Sequence, residues 1–333
     1  MRDPQTFTVD DPRFSTARVV GPMMLSLEGA EHDRHRAPFA RPFRLKPVQE
    51  RFGDAVLRET DALIDGLSPG ADLRRGLAGP LAAAIVMHAL GLDPGRRTEV
   101  LGWYERIVDS VSGIAAGDEP TREGAESFRS LAEAIREALE GESLVAAAAG
   151  GGGLSRDEVV SNAAVLMFGG IETTEGMIAN ALWHLLTNPD ELARVRVDPS
   201  LVSNAVEESL RLEPAAATID RYMTRDVEFG GAPIRAGDLV VISIAAANRD
   251  PTVFADPDRY DITRENARLH LAFAHGPHVC IGMHLARLEA HTAVRRVLER
   301  LPDARLVDPE ASTPRGLVFR KPPELRVEWA PAA

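Results

Sequence analysis

The chain has 333 residues, 44% of them apolar and 26% charged, with a formal net charge of −12 at pH 7. That balance supplies a sizeable core without disulfides or structural metals, and it excludes collagen, coiled coil, mucin-like stalk and wholesale disorder. The acidic total makes the chain a poor candidate for nonspecific binding to nucleic acid or anionic membrane.

Residues 1–30 are mixed, punctuated by Pro and Gly, and lack the apolar core of a secretion signal. No run of about 18 apolar residues occurs anywhere, so no membrane span is expected and a cytoplasmic location follows. Helical patterns begin near residue 30 and recur to about 140. Residues 146–153, AAAAGGGG, are the one low-complexity stretch and predict a flexible surface connection.

Ser155 and Glu158 have the S-x-x-E spacing of a capping box, which predicts a helix from there to 187, stopped by Asn188-Pro189. At 1.5 Å per residue it is about 45 Å long. It is hydrophobic around much of its circumference and so should be central and buried. Gly169 and Gly170 fall in its middle, where each costs about 1 kcal/mol relative to Ala. Something is therefore expected to approach the backbone closely there.

A second helix is expected over 200–212, ended by Pro214. Residues 227–230 and 239–244 predict strands, with Gly230-Gly231 turning between them. Residues 248–266 form a Pro/Asp-rich meander. A third strong helix covers 281–301, stopped by Pro302, and short strands return near 317–319 and 324–328. The fold class expected is mainly α with small sheets.

The chain has a single cysteine, which excludes an intrachain disulfide and a cysteine-based zinc cluster. Cys280 stands just before the third helix, where backbone N–H groups and the macrodipole favour thiolate. Gly276 and Gly282 permit a tight loop and the close approach of a planar group. A thiolate can serve as an axial ligand of haem iron.

The pattern Phe273-x-x-Gly276-x-His278-x-Cys280-x-Gly282 resembles the haem-binding loop of cytochrome P450 enzymes. It fixes five of ten successive positions. Four further segments resemble the family's in the same order. Glu208 and Arg211 match its E-x-x-R pair, which in the family is buried with an Arg from the meander, here Arg264, and holds the backbone behind the cysteine loop. Gly169-Gly170-Ile171-Glu172-Thr173-Thr174 resembles the oxygen-activating segment. A plainer reading makes the pair Thr173-Thr174 bond back inside the helix, with Glu172 solvated at a bend. His32 and Arg36 resemble the H-x-x-x-R whose side chains contact a haem propionate. Arg221 and His278 match two further propionate partners.

The resemblance implies one domain over 1–333, with the long helix above haem b. It implies a monooxygenase that uses O₂, with Thr173 beside the dioxygen and Glu172 relaying protons. Gly169, one turn before Thr173, would leave room for O₂. Val165, Phe168, Gly169, Ala216, Ala217, Thr218 and Ile219 would line a pocket for a small apolar, natural-product-like substrate. No strand-coupled G-x-G-x-x-G is present, so electrons are expected from a ferredoxin and an NAD(P)H-dependent reductase. Arg287, Arg295 and Arg296 are candidates for docking the ferredoxin. A peroxide-driven enzyme and a non-catalytic haem-binding relative are the competing expectations.

The family normally has a further N-terminal segment of helix and strands, which this sequence is expected to lack. The span from Phe14 to His32 is also short for the usual helix over the substrate. An open substrate side is therefore expected. Its sheet should be short or capped by the N-terminal stretch, a loop or a second subunit, and the pocket should be roofed either by a bulky or tethered substrate or by residues 23–27 folding over the haem.

Overall fold

A computed structural model describes residues 1–115, 117–141 and 143–330. The first part of the chain forms β1 (Phe7–Thr8), α1 (Ser15–Val20), α2 (Gly29–Ala40), α3 (Leu45–Asp65), α4 (Gly79–Leu90), α5 (Arg97–Ala115), α6 (Arg122–Ala138) and α7 (Leu144–Gly150). The long α8 (Arg156–Thr187) is followed by α9 (Pro189–Val197) and α10 (Val202–Leu212). Next come β2 (Thr218–Met223), β3 (Val227–Phe229), β4 (Ala232–Ile234), β5 (Leu239–Ser243) and α11 (Ile244–Ala247). Beyond the meander lie α12 (Met283–Arg300), β6 (Arg305–Leu306) and β7 (Val327–Glu328). No helix among the described residues is long and apolar enough to cross a membrane.

The capping box predicted at Ser155 is present. Ser155 Oγ accepts from the Glu158 N–H at 3.2 Å, and Glu158 Oε2 accepts from the Ser155 N–H at 2.7 Å. Beyond this start α8 buries most of its surface. Its C-terminal half, with Ile178, Leu182 and Leu185, packs against Phe52 of α3, Leu81 of α4 and Val294 of α12. Its N-terminal half, with Val159, Ala163 and Met167, joins a second cluster with Met23, Phe39 and Ile135. A Cβ at Gly170 would stand 2.9 Å from Val86 Cγ2, so the glycine lets α4 cross close to α8.

The mainly helical expectation holds, but several elements differ from their sequence reading. Residues 146–150 are helical, not a flexible connection. Ser143 caps α7 by accepting from the Ala146 N–H at 3.1 Å, and Val145 and Ala148 are buried. Alanine is the strongest helix former, so a simple alanine run beside a core becomes helix. Pro189 ends α8 but opens α9, where its missing N–H costs nothing.

The strands pair differently from the expected hairpin. Across Gly230-Gly231, β3 pairs with β4, Val227 opposite Ile234. β5 instead pairs antiparallel with β2, Ile219 opposite Ile242. β1 covers the other edge of β2, Phe7 opposite Met223, so the N-terminal stretch caps this sheet. Around 317–319 there are only isolated bridges, Ala216 to Phe319 and Arg315 to Lys321, and the strand expected over 324–328 is reduced to β7 and a bridge from Arg326 to Asp72. Residues 23–27 are anchored to α8. Met23, Met24 and Ser26 are buried, and the Met24 N–H donates to Asn162 Oδ1 at 2.8 Å.

Behind α10 the meander is tied to a buried charge cluster. Arg211 Nε and Nη2 donate to the two Glu208 oxygens at 2.7 and 2.8 Å. Arg264 Nε reaches Glu208 Oε1 at 2.9 Å. The spare guanidinium protons go to the carbonyls of Asn248, Pro257, Ala255 and Asp256. Removing one partner leaves a buried charge uncompensated. Arg264→Ala is thus expected to lower the unfolding free energy by about 3–5 kcal/mol in urea titration. Arg235→Ala, which breaks an exposed pair with Asp226, should cost at most about 1 kcal/mol.

Candidate functional site

Between the meander and α12 the chain closes a tight loop. The Ala274 N–H donates to Leu271 O at 2.8 Å, the Val279 N–H to Gly276 O at 3.0 Å, and the Cys280 N–H to Phe273 O at 2.8 Å. Ala274 takes φ 57° and Gly276 φ 81°. The left-handed conformation is strained for alanine and is held here by the loop closure. The close approach expected at Gly276 is made by the chain itself, because a Cβ there would collide with the Met1 carbonyl. At Gly282 the space is open, with nothing within 4 Å of where a Cβ would stand.

Cys280 is half-buried. Desolvation is the largest influence on its thiol and pushes the pKa up. The N–H groups of Gly282 and Met283 and the charges of Arg36 and Arg287 act in the opposite direction without overcoming it. The depressed thiol expected from the helix N-terminus is thus reversed, because burial outweighs the dipole.

Glu207 steadies the loop from behind. It is fully buried and accepts from Arg287 Nε and Nη2 at 2.6 and 2.8 Å, with His270 Nε2 at 3.1 Å. The Arg287 guanidinium lies 4.5 Å over the Phe273 ring. Burial opposes ionisation of Glu207, but His270 and Arg287 outweigh it and hold the carboxyl at about 2. Arg287 is therefore a structural clamp and not a free docking cation. Arg296 is likewise engaged, with Asp61 at 2.6 Å and Glu299 at 2.5 Å. Arg295 lies 3.5 Å from Glu299. The basic docking face expected on α12 is largely neutralised.

His32, Arg36, Arg221 and His278 do gather around the loop, and an acid sits among them. The His32 and His278 rings are 4.4 Å apart, and His278 Nε2 is 3.1 Å from Glu28 Oε2. Arg36 Nη2 donates to Val279 O at 2.7 Å, and Arg221 Nη1 to Asp220 O at 2.7 Å. Burial lowers the pKa of His32, Arg36 and Arg221. His32 Nε2 is buried with no partner.

On α8, Gly169 is exposed and has nothing within 4 Å of a notional Cβ. Thr173 Oγ1 donates to Gly169 O at 2.6 Å, the back-bonded state of the plainer reading. Glu172 is not solvated as that reading required. It lies 2.7 Å from Lys321 Nζ and accepts from the Tyr104 hydroxyl at 3.1 Å. Phe168 packs between Tyr104 and Phe319, with centroids at 6.4 and 5.8 Å. Val165 and Ala217 are buried, Val165 within the second core cluster, while Ala216, Thr218 and Ile219 are half-buried. Val165 and Ala217 are thus closed off from solvent. A separate cleft of ≈ 260 Å³ between the turn after α4, α5 and α6 contains none of these groups.

Sequence reasoning missed Glu28, Glu207, Tyr104 and Lys321. Glu207 had a signal in its adjacency to Glu208, and Lys321 in being one of two lysines in the chain. Glu28 and Tyr104 carried none.

A family model described as Cytochrome P450 matches residues 130–329. Cytochrome P450 107B1 of Saccharopolyspora erythraea is 36% identical over 314 residues, covering 90% of this chain and 74% of the relative. The steroid C26-monooxygenase of Mycobacterium tuberculosis is 32% identical over 304 residues, covering 88% and 81%. Among solved structures, cytochrome P450 CYP109Q5 of Chondromyces apiculatus superposes with a TM-score of 0.88 at 30% identity, covering 99% of this chain and 86% of that one.

The Glu207 carboxyl lies lower in the fold than its ordinary 4.5. Its contribution to stability is therefore complete at neutral pH and is lost as pH falls from about 4.5 towards about 2. The gap in unfolding free energy between wild type and Glu207→Gln should shrink across that window, by on the order of 3 kcal/mol. A pH series of unfolding curves for both proteins measures it.

Proposed function

The chain belongs to the cytochrome P450 family of monooxygenases, and from that premise we propose that it oxygenates a small apolar, natural-product-like molecule with electrons from a ferredoxin and its reductase. The observation that carries this reading is Cys280, the single thiol, in a loop closed by its own N–H on Phe273. The residues present fit haem b. Cys280 would bind the iron. No cluster of three or more His, Cys, Asp or Glu among the described residues competes for a metal. His32 has a buried nitrogen without a partner, as a propionate-binding site requires. Gly169 and Gly282 leave space where any other residue would carry a Cβ.

His32, Arg36, Arg221 and His278 would hold the propionates, and Phe273, Gly276 and Gly282 would shape the loop. When bound, the haem supplies O₂ binding and reductive O–O cleavage, promoted by electron donation from the thiolate. Binding requires Cys280 to release its proton, against the burial that raises its pKa. Arg36 and Arg287 and the N–H groups of Gly282 and Met283 favour the thiolate at that step.

Thr173 would turn its hydroxyl from Gly169 O towards the oxygen side. Glu172 would deliver protons there as general acid. Phe168 and Ile219 would contribute an apolar wall that orients substrate and excludes water. An apolar substrate accords with the half-buried Phe168 and Ile219 and with a relative named for a steroid. Bacterial members of the family draw on redox partners. The neutralised face of α12 gives little electrostatic steering, so docking should depend weakly on salt.

The reduced carbonyl adduct of the loaded protein should show the red-shifted Soret band of thiolate ligation. Cys280→Ser should lose that band or lose haem. A wild-type protein that holds haem without it contradicts the reading. In a ferredoxin-driven assay Thr173→Ala should keep consuming NAD(P)H while product falls and peroxide rises, with substrate affinity changed less than about twofold. Glu172→Gln should slow the whole cycle by about 10²-fold or more. Equal or better turnover with hydrogen peroxide alone would favour a peroxide-driven enzyme.

A further inference from the structure

In this structure both oxygens of Glu172 are engaged. Oε1 faces Lys321 Nζ at 2.7 Å, and Oε2 accepts from the Tyr104 hydroxyl at 3.1 Å. The same ammonium pairs with Glu175, one turn further along α8. Glu175 is held from its other side by Arg74 Nε at 2.8 Å. Thr173 is adjacent in sequence, yet its hydroxyl donates to Gly169 O. The alcohol and the acid therefore do not meet in this arrangement.

The backbone that carries the ammonium is well fixed. Lys321 and Arg315 exchange N–H and carbonyl bonds at 3.2 and 3.0 Å. The Arg320 N–H donates to Ala215 O at 2.9 Å, and the Arg320 side chain pairs with Glu213. Arg74 Nη1 ties the same segment to the cluster through Pro323 O at 2.7 Å. Two carboxylates three residues apart on one helix face repel each other, and a shared ammonium removes that repulsion. A lysine has three donors on one point charge, so it can keep one carboxylate while releasing the other. The Lys321 side chain is only 13% exposed, so little water competes for it.

We infer that Lys321 is the positioning residue for proton delivery: it parks Glu172 beside Glu175 at rest and releases it towards Thr173 during turnover. Glu175 and Arg74 keep the ammonium in place while Glu172 is away. Tyr104 guides the second oxygen and rests on Phe168. This inference rests on the reading of Glu172 as the general acid.

The test uses the loaded enzyme as Lys321→Met, Lys321→Arg and Glu172→Gln, with the double variant Lys321→Met/Glu172→Gln. Substrate affinity is read from the optical shift, stability from the thermal midpoint, and coupling from product per NAD(P)H. Lys321→Met should lower coupling by about fivefold or more and change the solvent deuterium isotope effect, with affinity held within about twofold. Lys321→Arg, which keeps the charge, should restore most of the coupling and the isotope effect. In the Glu172→Gln background, Lys321→Met should lower neither coupling nor midpoint by its full single-variant amount.

Normal coupling in Lys321→Met beside a slow Glu172→Gln overturns the role of Lys321 and leaves that of Glu172 standing. Full additivity in the double variant, or loss of affinity and coupling together, assigns Lys321 to scaffolding and also overturns it. An unchanged Glu172→Gln removes the general acid itself, and the inference fails with it.

Discussion

Two consecutive carboxylates on α10, Glu207 and Glu208, are both fully buried, and the architecture around Cys280 depends on them. A carboxylate taken out of water costs several kcal/mol unless charges and hydrogen bonds replace its hydration. Successive helix residues point about 100° apart, so adjacent acids on one helix reach different partners. Glu208 gathers Arg211 and Arg264 and, through their remaining protons, the carbonyls of the meander. Glu207 gathers His270 and Arg287, which flank Phe273 in the cysteine loop. The meander and the loop are therefore referenced to one backbone. That backbone packs on α8, so the thiol and the long helix share a rigid frame.

Within this frame, burial sets the electrostatics more strongly than the local motif does. Cys280 has the helix N-terminus that favours thiolate, yet desolvation pushes its thiol up. His32, Arg36 and Arg221 are each less basic than usual for the same reason. A cationic group held in a poorly solvated place gains most when an anion arrives. The haem proposed above, with two propionates for these cations and iron for the sulfur, would relieve that desolvation. Glu28 is the anion already present, and it engages His278.

On α8 the exposed Gly169 and the paired Glu172 express two demands on one helix. Packing requires small residues where other elements cross, as at Gly170 against Val86. The proton delivery proposed above requires an open stretch with a hydroxyl and an acid. The helix meets both by alternating faces, and it fastens the acid with partners from α5 and from the C-terminal segment. The alcohol remains bonded to its own helix, a state that tends to bend helices locally.

Features that depend on neighbours in sequence were legible without a structure. The capping box at Ser155, the limits of α8 and the turn at Gly230-Gly231 need only short-range hydrogen bonds and backbone preferences. The Cys280 loop and the Glu208/Arg211 spacing were legible through their family pattern. Only the tertiary structure decided which strand pairs with which, because β2 and β5 meet across an intervening hairpin. It turned the alanine run at 146–149 into helix by placing a core beside it. It also converted Arg287 from a surface cation into a clamp, and it brought Lys321 to Glu175 from 146 residues away. The spacing of residues along the chain determines local conformation, but the partner of a buried charge is set by which distant segment reaches it when water is excluded.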